Sequence, residues 1–257
     1  MDKLFFAGKI ALITGSGRGI GRAIALAFAR AGADVVVNFF RNRAPAEDTV
    51  SEIEKLGRKV LLVKADVGDL EDLERLFEAV EKEFGGLDYF IHNAASGYNR
   101  SVLQQKPKGW EWTMNINARS LLFAAQRAVA LMEKRGGGCI VSISSPGANR
   151  VLPDYAVVGA SKAAIESLTR YLAVELAPKN IHVNAVSPGI VETEALKHFA
   201  AMNDASVIEK AIAATPAGRL VTPEDVAGVV KFLCTPEAAM ICGQVIVVDG
   251  GYILPAN

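Results

Sequence analysis

The chain has no net charge to spend on a partner: 28 Lys and Arg residues balance 28 Asp and Glu residues over 257 positions. A nucleic-acid partner would demand a basic face, and nothing in the overall balance supplies one. Cysteine is scarce. Cys139, Cys234 and Cys242 are odd in number and have no metal-ligand spacing, so they are expected as reduced core thiols. His92, His182 and His198 are scattered, and no metal site is expected. Long apolar runs are also missing. The longest are broken by Gln126-Arg127 or by Lys231, short of the roughly 20 residues that span a bilayer. The opening Met1-Asp2-Lys3-Leu4-Phe5-Phe6 turns polar too soon for a signal peptide. The expectation is a cytoplasmic protein with neither membrane nor nucleic acid as partner.

What is present is a large core. The chain is 51% hydrophobic and 22% charged, the profile of a globular domain. Short runs rich in Val, Ile and Leu fall at Lys9–Thr14, Asp34–Asn38, Val60–Lys64, Tyr89–His92, Cys139–Ser144, His182–Val186 and Val245–Val248. Most show little polar alternation, as strands covered on both faces do. Amphipathic stretches separate them, at Gly19–Ala31, Ala46–Leu56, Asp69–Phe84, Gly109–Met132, Tyr155–Leu176 and Thr222–Leu233. Such β-α alternation predicts one doubly wound parallel β-sheet of about seven strands flanked by helices, a Rossmann fold, as a single domain over 1–257. No repeat, low-complexity tract or Pro/Ser linker interrupts it. Residues 188–215 are the one long irregular stretch, either a substrate lid or a plain pair of surface helices.

Thr14-Gly15-Ser16-Gly17-Arg18-Gly19-Ile20-Gly21 follows the first strand and opens the first helix. Glycines there allow a sharp turn and let a pyrophosphate approach the free N–H groups at the helix start. The spacing is T-G-x-x-x-G-x-G, not G-x-G-x-x-G, since Ile20 stands where the last glycine of the latter would be. Charge then selects the dinucleotide. An NAD site places an acid at the end of the second strand, whereas this chain reads Asn38-Phe39-Phe40-Arg41-Asn42-Arg43. Arg18 and Arg41, with Asn42, suit the 2′-phosphate of NADP(H), and Arg43 is the residue most easily read as merely solvated.

Further motifs follow in order: Asp66-Val67, Asn93-Ala94-Ala95, Asn115, Ser144-Ser145, Ser161-Lys162-Ala163-Ala164, Ser187-Pro188-Gly189 and Asp249-Gly250-Gly251. Over essentially its whole length the chain resembles the short-chain dehydrogenase/reductase family. The resemblance implies that Asp66 and Val67 contact the adenine, that Asn93 lies along the cofactor, and that Pro188, Gly189 and Ile190 flank the nicotinamide. It also implies a homotetramer or homodimer packed through the long middle and active-site helices.

The chain departs from that family at one point. The family's tyrosine stands four residues before its lysine, and here that residue is Val158, which cannot exchange a proton. Tyr155 stands seven residues before Lys162, almost two helical turns, so both share a face. Its hydroxyl is displaced by about 4.5 Å along the axis. Tyr-x6-Lys spacing resembles that of enoyl-acyl-carrier-protein reductases. The runs His92–Gly97, Trp110–Ala118 and Tyr171–Leu176 resemble the bacterial NADPH-dependent, FabL-type group of them. An enoyl thioester accepts hydride at the β-carbon while charge develops on a more distant thioester oxygen, which calls for a displaced donor.

The resemblance therefore implies reduction of the C2–C3 double bond of a trans-2-enoyl thioester in fatty acid synthesis, carried on acyl carrier protein or on coenzyme A. Tyr155 would bond the enolate oxygen, and Lys162 would hold the nicotinamide ribose and lower the tyrosine pKa. The α-carbon proton comes from Tyr155 or from water. Ser145, seventeen residues before Lys162, holds the place of the family's carbonyl-binding serine. Asn115 either anchors a relay water or supports structure. Trp110 and Trp112 read as packing anchors before substrate contacts. Lys106, Lys108 and Lys197 either meet an acidic carrier or form a solvated face. Two rivals stand beside this reading: a carbonyl or 3-oxoacyl thioester reductase, and a non-catalytic NADP(H)-sensing protein.

Overall fold

The computed structural model describes residues 4–193, 196 and 205–254. Its strands are β1 (Ile10–Ile13), β2 (Asp34–Phe39), β3 (Val60–Lys64), β4 (Tyr89–His92), β5 (Gly138–Ile143), β6 (Ile181–Pro188) and β7 (Val245–Val248). They form one sheet in the order β3-β2-β1-β4-β5-β6-β7, with every pairing parallel. The strand order reverses between β1 and β4, which opens a crevice at their carboxyl ends, the usual ligand site of such sheets.

The helices are α1 (Gly19–Arg30), α2 (Arg43–Lys55), α3 (Leu70–Phe84), α4 (Pro107–Met114), α5 (Ser120–Glu133), α6 (Ala156–Leu176), α7 (Ala205–Ala213) and α8 (Pro223–Leu233). Side-chain alternation along each strand feeds two cores. Ala11, Ile13, Val35 and Val37 pack with α1, α2 and α8, while Ile10, Leu12 and Val36 pack with α3, α5 and α6. Because both faces are covered, the strands read as unbroken apolar runs. Each fully buried Leu or Ile contributes roughly 1.5–3 kcal/mol.

Local signals set the helix ends. Asp69 accepts hydrogen bonds from the Glu71 and Asp72 N–H groups to start α3, and Gly85 at φ 74° ends it. Thr222 and Asp225 form a reciprocal capping box before α8, with Pro223 in its first turn.

The stretch expected as one helix over Gly109–Met132 is interrupted. Between α4 and α5 lies a wide π turn, Asn115–Arg119, a feature that sequence periodicity does not encode and that gathers at functional sites. Of the stretch expected as a lid, residues 194, 195 and 197–204 lie outside the described residues, including Lys197. Its remainder carries α7 and a bridge between Val191 and Val221. Among the described residues no helix is long and apolar enough to cross a membrane. The three cysteines are unpaired, with Cys139 and Cys234 buried.

Candidate active site

The glycine loop is built from close approaches. Gly15 and Gly19 have φ of 64° and 55°, a region that residues with a Cβ rarely adopt. A Cβ on Gly21 would lie 2.4 Å from the Gly15 carbonyl oxygen and 2.5 Å from Asn93 Nδ2. On Gly17 it would meet Ala46 of α2 at 3.1 Å. Ser16 is buried, its hydroxyl donating to the Ile13 carbonyl at 2.7 Å. Arg18 precedes α1 in extended conformation without capping it through its side chain, and no acid stands in that helix's first turn. The first N–H groups of α1 therefore remain available to an anion. Thr193 closes the far side, its Cγ2 3.6 Å from where a Gly19 Cβ would be. Ile20 is partly buried against the core.

Two asparagines brace the loop. Asn93, expected along the cofactor, donates its amide to the Thr14 and Gly15 carbonyls at 2.8 and 3.2 Å. Asn38, singled out only for not being an acid, accepts from Gly15 N–H at 3.1 Å and donates to the Ala65 carbonyl at 3.1 Å. Its burial in mid-sheet gave no signal in the sequence. Asp66 accepts from Gly68 N–H at 2.9 Å, and Val67 is buried with the core beside α3.

At the start of α2, Arg43 pairs through Nε with Glu47 at 2.7 Å on the exposed face of the helix. Arg41 is exposed, its guanidinium carbon 5.5 Å from the Trp112 ring centroid, and Asn42 precedes α2. In the segment expected to flank the nicotinamide, Gly189 N–H donates to the Val248 carbonyl at 2.9 Å and Ile190 accepts from Val221 N–H at 3.1 Å. Pro188 ends β6 opposite Val248. A Cβ on Gly189 would be 2.8 Å from Asp249 Cβ.

The chemistry-bearing side chains meet where β5 and α6 converge. Tyr155 stands immediately before α6 at φ −105°, ψ 7°. Asp154, at φ 57°, turns the chain into it, and its carbonyl accepts from Arg100 N–H at 2.8 Å. The Tyr155 ring lies against Gly147, where a Cβ would fall 2.5 Å from the ring. Its hydroxyl donates to Ser145 Oγ at 3.4 Å. Ser145 Oγ also accepts from Gly147 N–H at 3.3 Å, and neither bond uses the serine's own proton.

Burial raises the Tyr155 pKa, and the Ser145 bond pulls the other way without cancelling it. This corrects the expectation that Lys162 lowers it. The ammonium is anchored elsewhere, donating to the Ile143 carbonyl at 2.7 Å. Tyr155 is thus a neutral donor at physiological pH. Burial holds the Lys162 pKa down to about 8. Val158 fills the family's usual tyrosine place: it is buried, and a Cβ on Gly97 would lie 2.2 Å from its Cγ2.

Asn115 makes no side-chain hydrogen bond among the described residues, whereas Asn117, which sequence reasoning passed over, bridges the 96 loop and α6. It is fully buried in the π turn. It accepts from Ser96 N–H at 2.9 Å and donates to the Ser96 carbonyl and to Ser161 Oγ, both at 2.9 Å. A second N-x-N residue in the same turn was the available signal. Trp112 anchors the same loop, its indole N–H donating to Ser96 Oγ at 3.0 Å. Trp110 is about half exposed.

A parallel doubly wound sheet with a glycine loop after β1, and a half-buried Ser145–Tyr155 pair with a buried Lys162 after β5, defines an oxidoreductase that uses a nicotinamide dinucleotide. The chain belongs to the short-chain dehydrogenase/reductase family. A family model described as Enoyl-(Acyl carrier protein) reductase matches residues 15–253. The chain is 40% identical to 1-cyclohexenylcarbonyl-CoA reductase of Streptomyces collinus, covering 96% of this chain and 88% of that one. It is 38% identical to the hydroxynaphthalene reductase-like protein Arp2 of Metarhizium robertsii, over 96% and 95%. The solved structure of 7α-hydroxysteroid dehydrogenase with NADH and 7-oxo glycochenodeoxycholic acid superposes with a TM-score of 0.92 at 34% identity, covering 100% and 98% of the two chains.

Proposed function

We propose that this protein is an NADPH-dependent enoyl thioester reductase of the FabL type, acting on trans-2-enoyl groups carried on acyl carrier protein in cytoplasmic fatty acid synthesis. The observation that carries the reading is the exchange of residues between the start of α6 and its first turn. Val158 is packed where a ketone reductase needs its donor, and Tyr155 presents its hydroxyl beside Ser145 instead. The family description and the Streptomyces relative, whose named substrate conjugates a double bond to a thioester, agree with this chemistry.

When bound, NADPH supplies the hydride that adds at the β-carbon. Tyr155, kept neutral by burial, donates a hydrogen bond to the thioester oxygen as enolate charge develops there. Ser145 has its own proton for the same oxygen. Lys162, fixed at one corner by Ile143, keeps two donors for the nicotinamide ribose hydroxyls. The open N-terminus of α1 receives the pyrophosphate, and Arg18 and Arg41 receive the 2′-phosphate. We further propose that a second copy packs on α5 and α6, where Tyr171 and Val174 are largely exposed.

The test follows NADPH oxidation with crotonyl and acetoacetyl thioesters, on acyl carrier protein and on coenzyme A, for wild type and Tyr155→Phe. Turnover of the crotonyl substrate, lost by a factor on the order of 10²–10³ in the variant, is the expected result. Turnover of acetoacetyl thioester alone overturns it. The carbonyl-reductase reading has one observation of its own, since a Ser145–Tyr155 pair also suits a carbonyl oxygen and the Metarhizium relative is named for a reductase of hydroxynaphthalenes.

A further inference from the structure

Of the arginines packed about α2, Arg22 and Arg43 pair with its carboxylates Glu52 and Glu47. Arg41 is different. Exposed between β2 and α2, it has no ion pair and no hydrogen bond among the described residues. Its partners are two rings: the guanidinium carbon lies 5.5 Å from the Trp112 centroid and 5.7 Å from that of Phe40. Both distances fall within the roughly 6 Å over which a ring face attracts a cation. The kind of partner matters to an anion. A carboxylate occupies guanidinium N–H donors that a phosphate would have to win back, whereas a ring face leaves all of them unspent.

Phe40 is the chain neighbour of Arg41, but Trp112 comes from α4, beyond β4. Strands β2 and β4 lie on either side of β1, so the Arg41–Trp112 contact joins the two halves of the sheet where the strand order reverses. The indole is fixed. Its N–H donates to Ser96 Oγ at 3.0 Å, and its ring is partly buried against the core between α3 and α5. Ser96 is held in turn, its N–H and carbonyl both bonded to the buried Asn117 amide.

We propose that Trp112 is a positioning residue that sets the cofactor preference: its fixed ring face holds the Arg41 guanidinium at the crevice, donors free, for the 2′-phosphate that NADP(H) carries and NAD(H) lacks. An exposed arginine loses rotamer freedom when it captures an anion, and a guanidinium already drawn to a ring has lost part of that freedom beforehand. Phosphate binds in the plane of the guanidinium and the ring binds over its face, so both contacts are made at once. Trp112 acts through Arg41, so the rest of the dinucleotide binds without its help.

Because this rests on NADP(H) as the cofactor, the test uses nucleotide fragments and needs no turnover. Adenosine 2′,5′-bisphosphate and 5′-AMP are titrated by calorimetry into wild type, Trp112→Leu, Trp112→Phe, Arg41→Gln and the double variant of Arg41→Gln with Trp112→Leu, and the ratio of the two affinities is read. Trp112→Leu is expected to lower the ratio about three- to tenfold, and Trp112→Phe, which keeps a ring, by less than about twofold. Arg41→Gln should lower it further, and the double variant no further than Arg41→Gln alone. Equal weakening of both nucleotides in Trp112→Leu, or losses that add in the double variant, overturn the proposal and leave NADP(H) as the cofactor. A wild type that binds the two nucleotides alike overturns the cofactor reading as well. If Trp112→Leu does not fold, Trp112 emission in a Trp110→Phe background decides. Saturation with the bisphosphate should change that emission more than saturation with 5′-AMP, and equal changes overturn the proposal.

Discussion

Acidification should unfold this protein earlier than its carboxylates alone would dictate, because of His92. Burial first, and the Lys162 charge second, lower its pKa from 6.5 to about 3. The folded pKa is depressed, so the stabilisation is present above 6.5 and is lost as pH falls toward 3, where the unfolded chain binds a proton that the folded chain refuses. Complete loss corresponds to 3.5 units at about 1.36 kcal/mol each, about 5 kcal/mol. That is comparable with the whole stability of many domains, roughly 5–15 kcal/mol. Between pH 7 and pH 5, still above the ordinary carboxylate range, the share is about 2 kcal/mol. Urea unfolding followed by circular dichroism at pH 7, 6 and 5, at one fixed protein concentration, measures it. Wild type should lose about 2 kcal/mol more than His92→Asn over that interval. Parallel pH dependence in the two proteins would refute the burial and neutrality assigned to His92.

Gly21→Ala places a Cβ 2.4 Å from the Gly15 carbonyl; it should cost about 1–3 kcal/mol in thermal unfolding and at least about tenfold in NADPH affinity by fluorescence titration. Val158→Tyr restores the family's usual residue type but must displace the 96–98 segment from its contact at Gly97, so no gain of acetoacetyl reduction is expected. Recovery of that activity would show the pocket to be more open than the packing implies. Asn117→Ala breaks the three hydrogen bonds of a fully buried amide and should destabilise by about 3 kcal/mol, with Asn115→Ala costing about 1 kcal/mol or less; equal melting shifts would undo the bracing role given to Asn117.

The strands were legible because each lies between two helical layers, so apolar composition alone marks them. The glycine loop was legible for a similar reason. Sharp turning and close approach exclude every other residue type, as Gly21 shows against Gly15 and Asn93. That Arg43 is solvated could also be suspected, and it is exposed.

Other features are not properties of any short stretch. A hydrogen bond such as Asn38 to Gly15 joins residues 23 apart, and the bond from Asn93 to Thr14 joins residues 79 apart; a single asparagine looks the same whether it braces or binds. The π turn carries no compositional mark, so a continuous helix was the natural reading and Asn115 looked as good as Asn117. Nor can charge in a sequence report desolvation. Lys162 was expected to lower the Tyr155 pKa, but desolvation raises it, and the lysine donates to Ile143. Sequence by itself determined the sheet, the glycine loop and which residues can exchange protons, because those follow from residue type and local spacing. Tertiary structure alone decided which of them are neutral, which are braces and which face the crevice, because burial and long-range contact exist only once the strands have been brought together.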